Sequence, residues 1–207
     1  MTFAGTLPAR RPLPRILVAD DGRHPIEPAV ELDHGLLLRD TDLSVVVARA
    51  ASAPIQLAVD IDTVRGLGAD EAAVEFIVRR LGIDIVLTRR SATALHAAEL
   101  GGLALLHVLA FDSTGLHRSL DGHPRTAGVG TVVSPGLVLS HMSDGELASL
   151  SRPILGYGLM TEPDDIDGCL AIADGVVLRP DPARHYASMR GIGARPEGNV
   201  LTTVDAR

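Results

Sequence analysis

The sequence contains no lysine; all 19 of its basic side chains are arginine. Schiff-base aldolases, pyridoxal-phosphate enzymes and Walker-type phosphate loops each need a lysine amine, so all three are excluded. An anion site in this chain must use arginine, backbone N–H groups or helix N-termini. Aromatic residues make up 2% and tryptophan is missing. That argues against the stacking platforms that grip single-stranded nucleic acid. There is one cysteine, Cys169, so no disulfide forms within the chain. It sits in a helical pattern and reads as a small core residue. The longest apolar runs are too short to span a bilayer. Met1–Leu13 has arginines but no apolar core after them, so it does not read as a signal peptide. A cytoplasmic protein with no membrane partner is expected. Positive charge is short as well: the formal net charge of −7 disfavours broad nucleic-acid binding, which depends on phosphate neutralisation. A local arginine patch stays open.

What is present is aliphatic. Hydrophobic residues reach 46% of 207, enough for one domain with a substantial core. A core of Ala, Val, Ile and Leu suits parallel strands covered by helices. Residues 1–32 read as an irregular N-terminal lead-in, within which Arg15–Asp20 (RILVAD) is either a short strand or extended chain. Asp21–Pro28 is turn material. Residues 33–189 carry a regular rhythm, and 190–207 form a polar C-terminal tail.

Within the rhythmic part, Gly35–Leu38, Ile55–Val59, Asp84–Leu87, Leu103–Leu109, Gly130–Val133, Pro153–Leu155 and Gly175–Leu178 read as strands. Helical patterns fall between them, over Thr41–Ala51, Asp70–Leu81, Ser91–Leu100, Ser113–Leu120, Leu137–Leu150 and Asp164–Ile172. A last helical turn is expected at Arg184–Met189. Alternating strands and helices imply an α/β fold with a parallel sheet. An open doubly wound sheet would carry a glycine-rich loop after its first strand, and Arg39-Asp40-Thr41 is nothing like one. The expected fold is therefore an irregular TIM-like (β/α) barrel of about seven parallel strands.

In such barrels the site lies at the C-terminal ends of the strands. Those ends supply Asp60, Asp62, Thr88, Arg89, His107, Asp112, Ser113, Pro135, Gly136, Gly158 and Arg179. Gly156-Tyr157-Gly158-Leu159 and Gly175–Arg179 sit where barrels often cradle phosphate. A phosphorylated small molecule is the natural ligand, its polar end facing Asp60 and Asp112. Glycines after strands also serve plain backbone geometry. Asp60, Asp62 and Asp112 are hard oxygen donors that suit a divalent cation, yet strand-end carboxylates equally cap helices or meet arginines; no metal or cofactor is assigned. His107 is either a general base or a hydrogen-bonded barrel histidine, and no residue is assigned a catalytic role. Asp112-Ser113 is either a binding pair or a helix cap.

LAVDIDTVRGLGADEAAVEF, then IDIVLTRR, AAELGGLALLHVLAFDS, VVSPG and PILGYGLMTEPDDI, resembles in order and spacing the glycerol-3-phosphate-responsive antiterminator family. Val59-Asp60, Gly66-Leu67, Asp70-Glu71, Thr88-Arg89, Asp112-Ser113, Pro135-Gly136 and Gly158-Leu159 carry the resemblance over about residues 35–180. It implies a non-catalytic regulator built on an irregular barrel that binds glycerol 3-phosphate and leader RNA. It also implies that Gly158, with the backbone at Leu159, holds the phosphate while Asp60 faces the glycerol. The chain departs from the family pattern at Ala58, His107, Tyr157 and Arg179, and segment 61–65 is longer. Two other readings stand beside this one: a barrel enzyme acting on a small phosphorylated substrate, and a metabolite sensor with a protein partner. Monomer and homo-oligomer both stay open.

Overall fold

The computed structural model describes residues 12–23 and 34–192. In chain order it contains β1 (Ile16–Asp20), β2 (His34–Leu38), α1 (Leu43–Ser52), β3 (Leu57–Asp60) and α2 (Glu71–Glu75), which runs on as a π-helical turn, Phe76–Arg80. Next come β4 (Ile85–Thr88), α3 (Ser91–Glu99), β5 (Leu103–Leu109), α4 (Ser113–Asp121) and β6 (Val129–Ser134). A 3-10 turn (Gly136–His141), α5 (Asp144–Ser149), β7 (Ile154–Tyr157), α6 (Pro163–Leu170), β8 (Gly175–Leu178) and α7 (Pro180–Met189) complete it.

All eight strands are parallel and close into a barrel in sequence order, β8 pairing with β1 through Ile16↔Val176 and Val18↔Leu178. The expected strand count of about seven is thus corrected to eight. The additional strand, Ile16–Asp20, lies inside the stretch read as lead-in, so the barrel begins there. The expectations for residues 1–11, 24–33 and 193–207 fall outside the described residues.

Strand pleat divides the core in two. Leu17, Leu37, Ala58, Ile85, Leu87, Leu103, Leu105, Val132, Leu155 and Val177 fill the barrel interior. The alternate residues, such as Val18, Leu36, Val59, Val86 and Val133, pack outward under the helices. Both faces of every strand are buried, which is why the strands read as continuous apolar runs. The single helix expected over Leu137–Leu150 is two pieces. Ser143 starts the second by accepting the Glu146 N–H while Glu146 bonds back to the Ser143 N–H, a capping box that forces a new helix start. Two glycines are dictated by contact. A Cβ on Gly130 would lie 2.5 Å from the Pro153 carbonyl oxygen, and one on Gly156 would lie 2.2 Å from Cys169 Sγ.

Candidate ligand-binding site

Because side chains alternate, the positions two residues beyond the interior layer also point inward, at the open C-terminal end. Leu37 is followed by Arg39, Ala58 by Asp60, Leu105 by His107, Val132 by Ser134, Leu155 by Tyr157 and Val177 by Arg179. Arg39, Tyr157, His107 and Ser134 form a connected group, and the Arg39 charge acts on Asp60 beside them. His107 Nε2 lies 2.7 Å from Ser134 Oγ. The His107 and Tyr157 rings are tilted against one another with centroids 5.6 Å apart. The Arg39 guanidinium lies over the Tyr157 ring at 5.1 Å, within cation–π range. Asp60 is 5% exposed at the end of β3.

Burial sets the electrostatics. It raises the Asp60 carboxyl to about 6; the Arg39 charge pulls down and the Asp62 charge adds to the rise. Burial, with the positive charges of Arg39 and Arg89, lowers His107 to about 4. His107 is therefore neutral at pH 7, and a neutral imidazole bonded to a serine hydroxyl offers one further donor or acceptor at Nδ1. The group combines a guanidinium, a carboxylate, an imidazole, a hydroxyl and a phenol, a donor and acceptor set suited to a small polar molecule carrying negative charge and hydroxyls.

The other sequence-predicted residues occupy different positions. Thr88 points out of the barrel, fully buried, and donates to Asp62 Oδ2 at 3.1 Å. Asp62 also accepts the Arg89 backbone N–H at 2.6 Å. Its buried carboxylate lies 3.6 Å from Arg89 Nε and 3.4 Å from Arg90 Nε. Asp62 thus ties the β3–α2 loop to the end of β4, and Arg89 reaches the mouth as an exposed side chain beside that tie. Asp112 and Ser113 are exposed; Asp112 Oδ1 accepts the Gly115 N–H at 2.7 Å and caps α4. Pro135 follows a cis peptide, and the Gly136 N–H donates to the Gly158 carbonyl at 3.1 Å, joining the β6 and β7 ends. Gly158 and Leu159 both have left-handed backbones, φ 79 and 61. A left-handed leucine is strained, and this one is exposed. Arg179 is exposed at the end of β8 and precedes α7. Among the described residues no three His, Cys, Asp or Glu side chains gather as a metal site.

Arg39, Ser134 and Tyr157 were not among the expected site residues. The signal for all three is parity: each lies two positions after a residue that fills the barrel interior.

A family model for the glycerol-3-phosphate responsive antiterminator matches residues 35–177. The chain belongs to that family. Antiterminators of this family are regulators, not enzymes, and the matched span runs from β2 to β8. Two solved structures have the same barrel. A glycerol uptake operon antiterminator regulatory protein from Listeria monocytogenes is 20% identical, with a TM-score of 0.67 over 79% of this chain and 90% of that one. A glycerol uptake operon antiterminator-related protein from Thermotoga maritima is 20% identical, with a TM-score of 0.67 over 84% of this chain and 98% of that one. No curated protein matches the chain by sequence. No helix among the described residues of this antiterminator-family chain is long and apolar enough to cross a membrane.

Proposed function

We propose that the chain is a glycerol-3-phosphate-responsive regulator that binds a small phosphorylated polyol in the mouth of the barrel and answers it by changing its affinity for leader RNA. The observation that carries the ligand half is the inward-facing group Arg39, Asp60, His107, Ser134 and Tyr157. Asp60 and neutral His107 suit the hydroxyl end. The Gly158–Leu159 backbone, Arg89 and Arg179 border the same mouth and suit the anionic end, while Pro135-Gly136 holds the Gly158 turn in place through the Gly136 N–H. Family membership supports the RNA half.

Two measurements test the reading. In a thermal melt, sn-glycerol 3-phosphate at 100 times its Kd is expected to add about 2.7 kcal/mol of stability, while glycerol and unrelated sugar phosphates add far less. Fluorescence anisotropy with a leader RNA is then expected to show affinity that changes with the ligand and falls steeply between about 50 and 200 mM salt. RNA binding that is absent or salt-insensitive, with and without glycerol 3-phosphate, overturns the RNA half. A protein partner in place of RNA is the second reading. It is favoured by the pairing of exposed arginines with carboxylates, as in Arg65–Asp42, Arg79–Glu75, Arg152–Asp174 and Arg184–Asp181, which leaves little unbalanced positive charge to attract phosphates.

A further inference from the structure

In (β/α) barrels the N-terminus of a helix beyond the last strands commonly supplies N–H groups to a phosphate. Here α7 is unsuited to that task. Its first and third residues are Pro180 and Pro182, which have no N–H, and between them Asp181 brings a negative charge. With this helix end unsuited, more of the neutralisation of an anion at this mouth falls to side chains, and with lysine absent a cationic side chain there is an arginine.

Arg39 is the arginine the fold has fixed. Its Nε donates to Asp40 Oδ2 at 2.8 Å. Asp40 is held in turn: its N–H donates to Thr63 Oγ1 at 3.0 Å and its carbonyl accepts Arg65 Nη1 at 3.1 Å. The guanidinium carbon lies over the Tyr157 ring, 5.1 Å from its centroid. Only Nε is used among the described residues, so both terminal amino groups remain as a planar fork, the geometry that bonds two phosphate oxygens at once. Tyr157 is also the residue before Gly158, so the ring under the Arg39 guanidinium belongs to the residue that leads into the left-handed Gly158–Leu159 turn. Arg89 and Arg179, by contrast, are exposed, and no ring is stacked under either among the described residues.

We infer that Arg39 is the residue that grips the phosphate of the ligand, as a two-oxygen fork stacked on Tyr157, and that Tyr157 acts as its positioning residue. The assignment rests on the mouth binding a phosphorylated ligand and adds which side chain recognises the anion. It makes the phosphate, not the polyol, the group read by β2 and β7.

The test is titration calorimetry of the full chain with sn-glycerol 3-phosphate, inorganic phosphate and glycerol. Arg39→Ala is expected to weaken glycerol 3-phosphate and inorganic phosphate by about tenfold or more. Arg39→Lys is expected to recover less than half of that loss in log affinity, because an ammonium cannot form the fork. Tyr157→Leu, which removes the ring, is expected to weaken both phosphates more than Tyr157→Phe, which keeps the ring under Arg39; equal losses in the two variants overturn the positioning role. In the Arg39→Ala background Tyr157→Leu has no further effect, as expected of a residue acting through Arg39. Thermal melts of each variant exclude loss of fold; should Arg39→Ala unfold, Arg39→Lys and the two Tyr157 variants decide. Wild-type binding left intact by Arg39→Ala overturns this inference alone. Failure of the wild type to bind either phosphate overturns it together with the reading it rests on.

Discussion

Asp60 and His107 titrate in opposite senses within one small volume. The folded Asp60 holds its proton more tightly than the unfolded chain, from 3.8 to about 6. Its contribution to stability is full below pH 3.8 and is lost as pH rises through 6. The folded His107 holds its proton more weakly, from 6.5 to about 4. Its contribution is full above pH 6.5 and is lost as pH falls through 4. Each corresponds to a change on the order of 3 kcal/mol, so across pH 4–6 the two largely cancel and wild-type stability should be nearly flat there. Asp60→Asn should leave the histidine alone, with stability rising from pH 4 to 6.5. His107→Gln should leave the carboxyl alone, with stability falling from pH 4 to 6. Chemical denaturation at a series of pH values reads both; the same slope in both variants would show that the two groups are not the ones titrating. At this scale the sequence was partly legible. Asp60 and His107 stand at recognisable strand ends. Arg39, Ser134 and Tyr157 escaped because which residues of a strand face inward depends on the register of its neighbours. The motif does not state that register, and a one-residue slip reverses every side chain.

Among the secondary elements, the β5–α4 loop separates a cap from a ligand contact. Asp112 bonds the Gly115 N–H, so Asp112→Ala should cost about 1 kcal/mol of stability. Asp112→Ser, which keeps a capping oxygen, should restore it. If Asp112 also touches ligand, the serine variant will fold as well as wild type and still bind glycerol 3-phosphate more weakly; equal affinity would confine the residue to capping. Between β7 and α6, Gly156 meets Cys169 with no room for a methyl group. Gly156→Ala should cost roughly 1–3 kcal/mol through overpacking, and adding Cys169→Ala should recover most of it. A pair of losses that simply add would show that the clash lies elsewhere. Element boundaries were legible where punctuation was strong, as at Pro54 and Gly82. The break inside Leu137–Leu150 is spelled out by Ser143 and Glu146, but Leu139, Met142 and Leu150 keep helical spacing across it and mask the restart.

For the whole molecule, the alternation of apolar runs and helices announced a parallel barrel, yet it hid one strand. Ile16–Asp20 is followed in the sequence by Asp21–Pro28, which reads as turn material and not as a helical pattern, so the repeat that identified the other strands does not single it out. Its importance is nonetheless structural. A chain beginning at His34 would lack the strand that pairs with both β2 and β8, and is expected to show no cooperative melt by circular dichroism and to expose apolar surface to a dye such as ANS. A cooperative transition in that truncated chain would show that seven strands suffice.

Closure by the first and last strands also has a consequence in time. Ile16 must find Val176, about 160 positions further on, so the ring is sealed by a contact of very long sequence separation, the slow kind. During synthesis β1 emerges first and waits with an open edge until β8 leaves the ribosome. Arg39, Asp60, His107, Ser134 and Tyr157 come from β2, β3, β5, β6 and β7, and all five are made before the seal. Neither sealing strand supplies any of them. These five are therefore all present in the nascent chain before the ring is sealed, and Arg179, which follows β8, is the mouth residue that arrives with the seal.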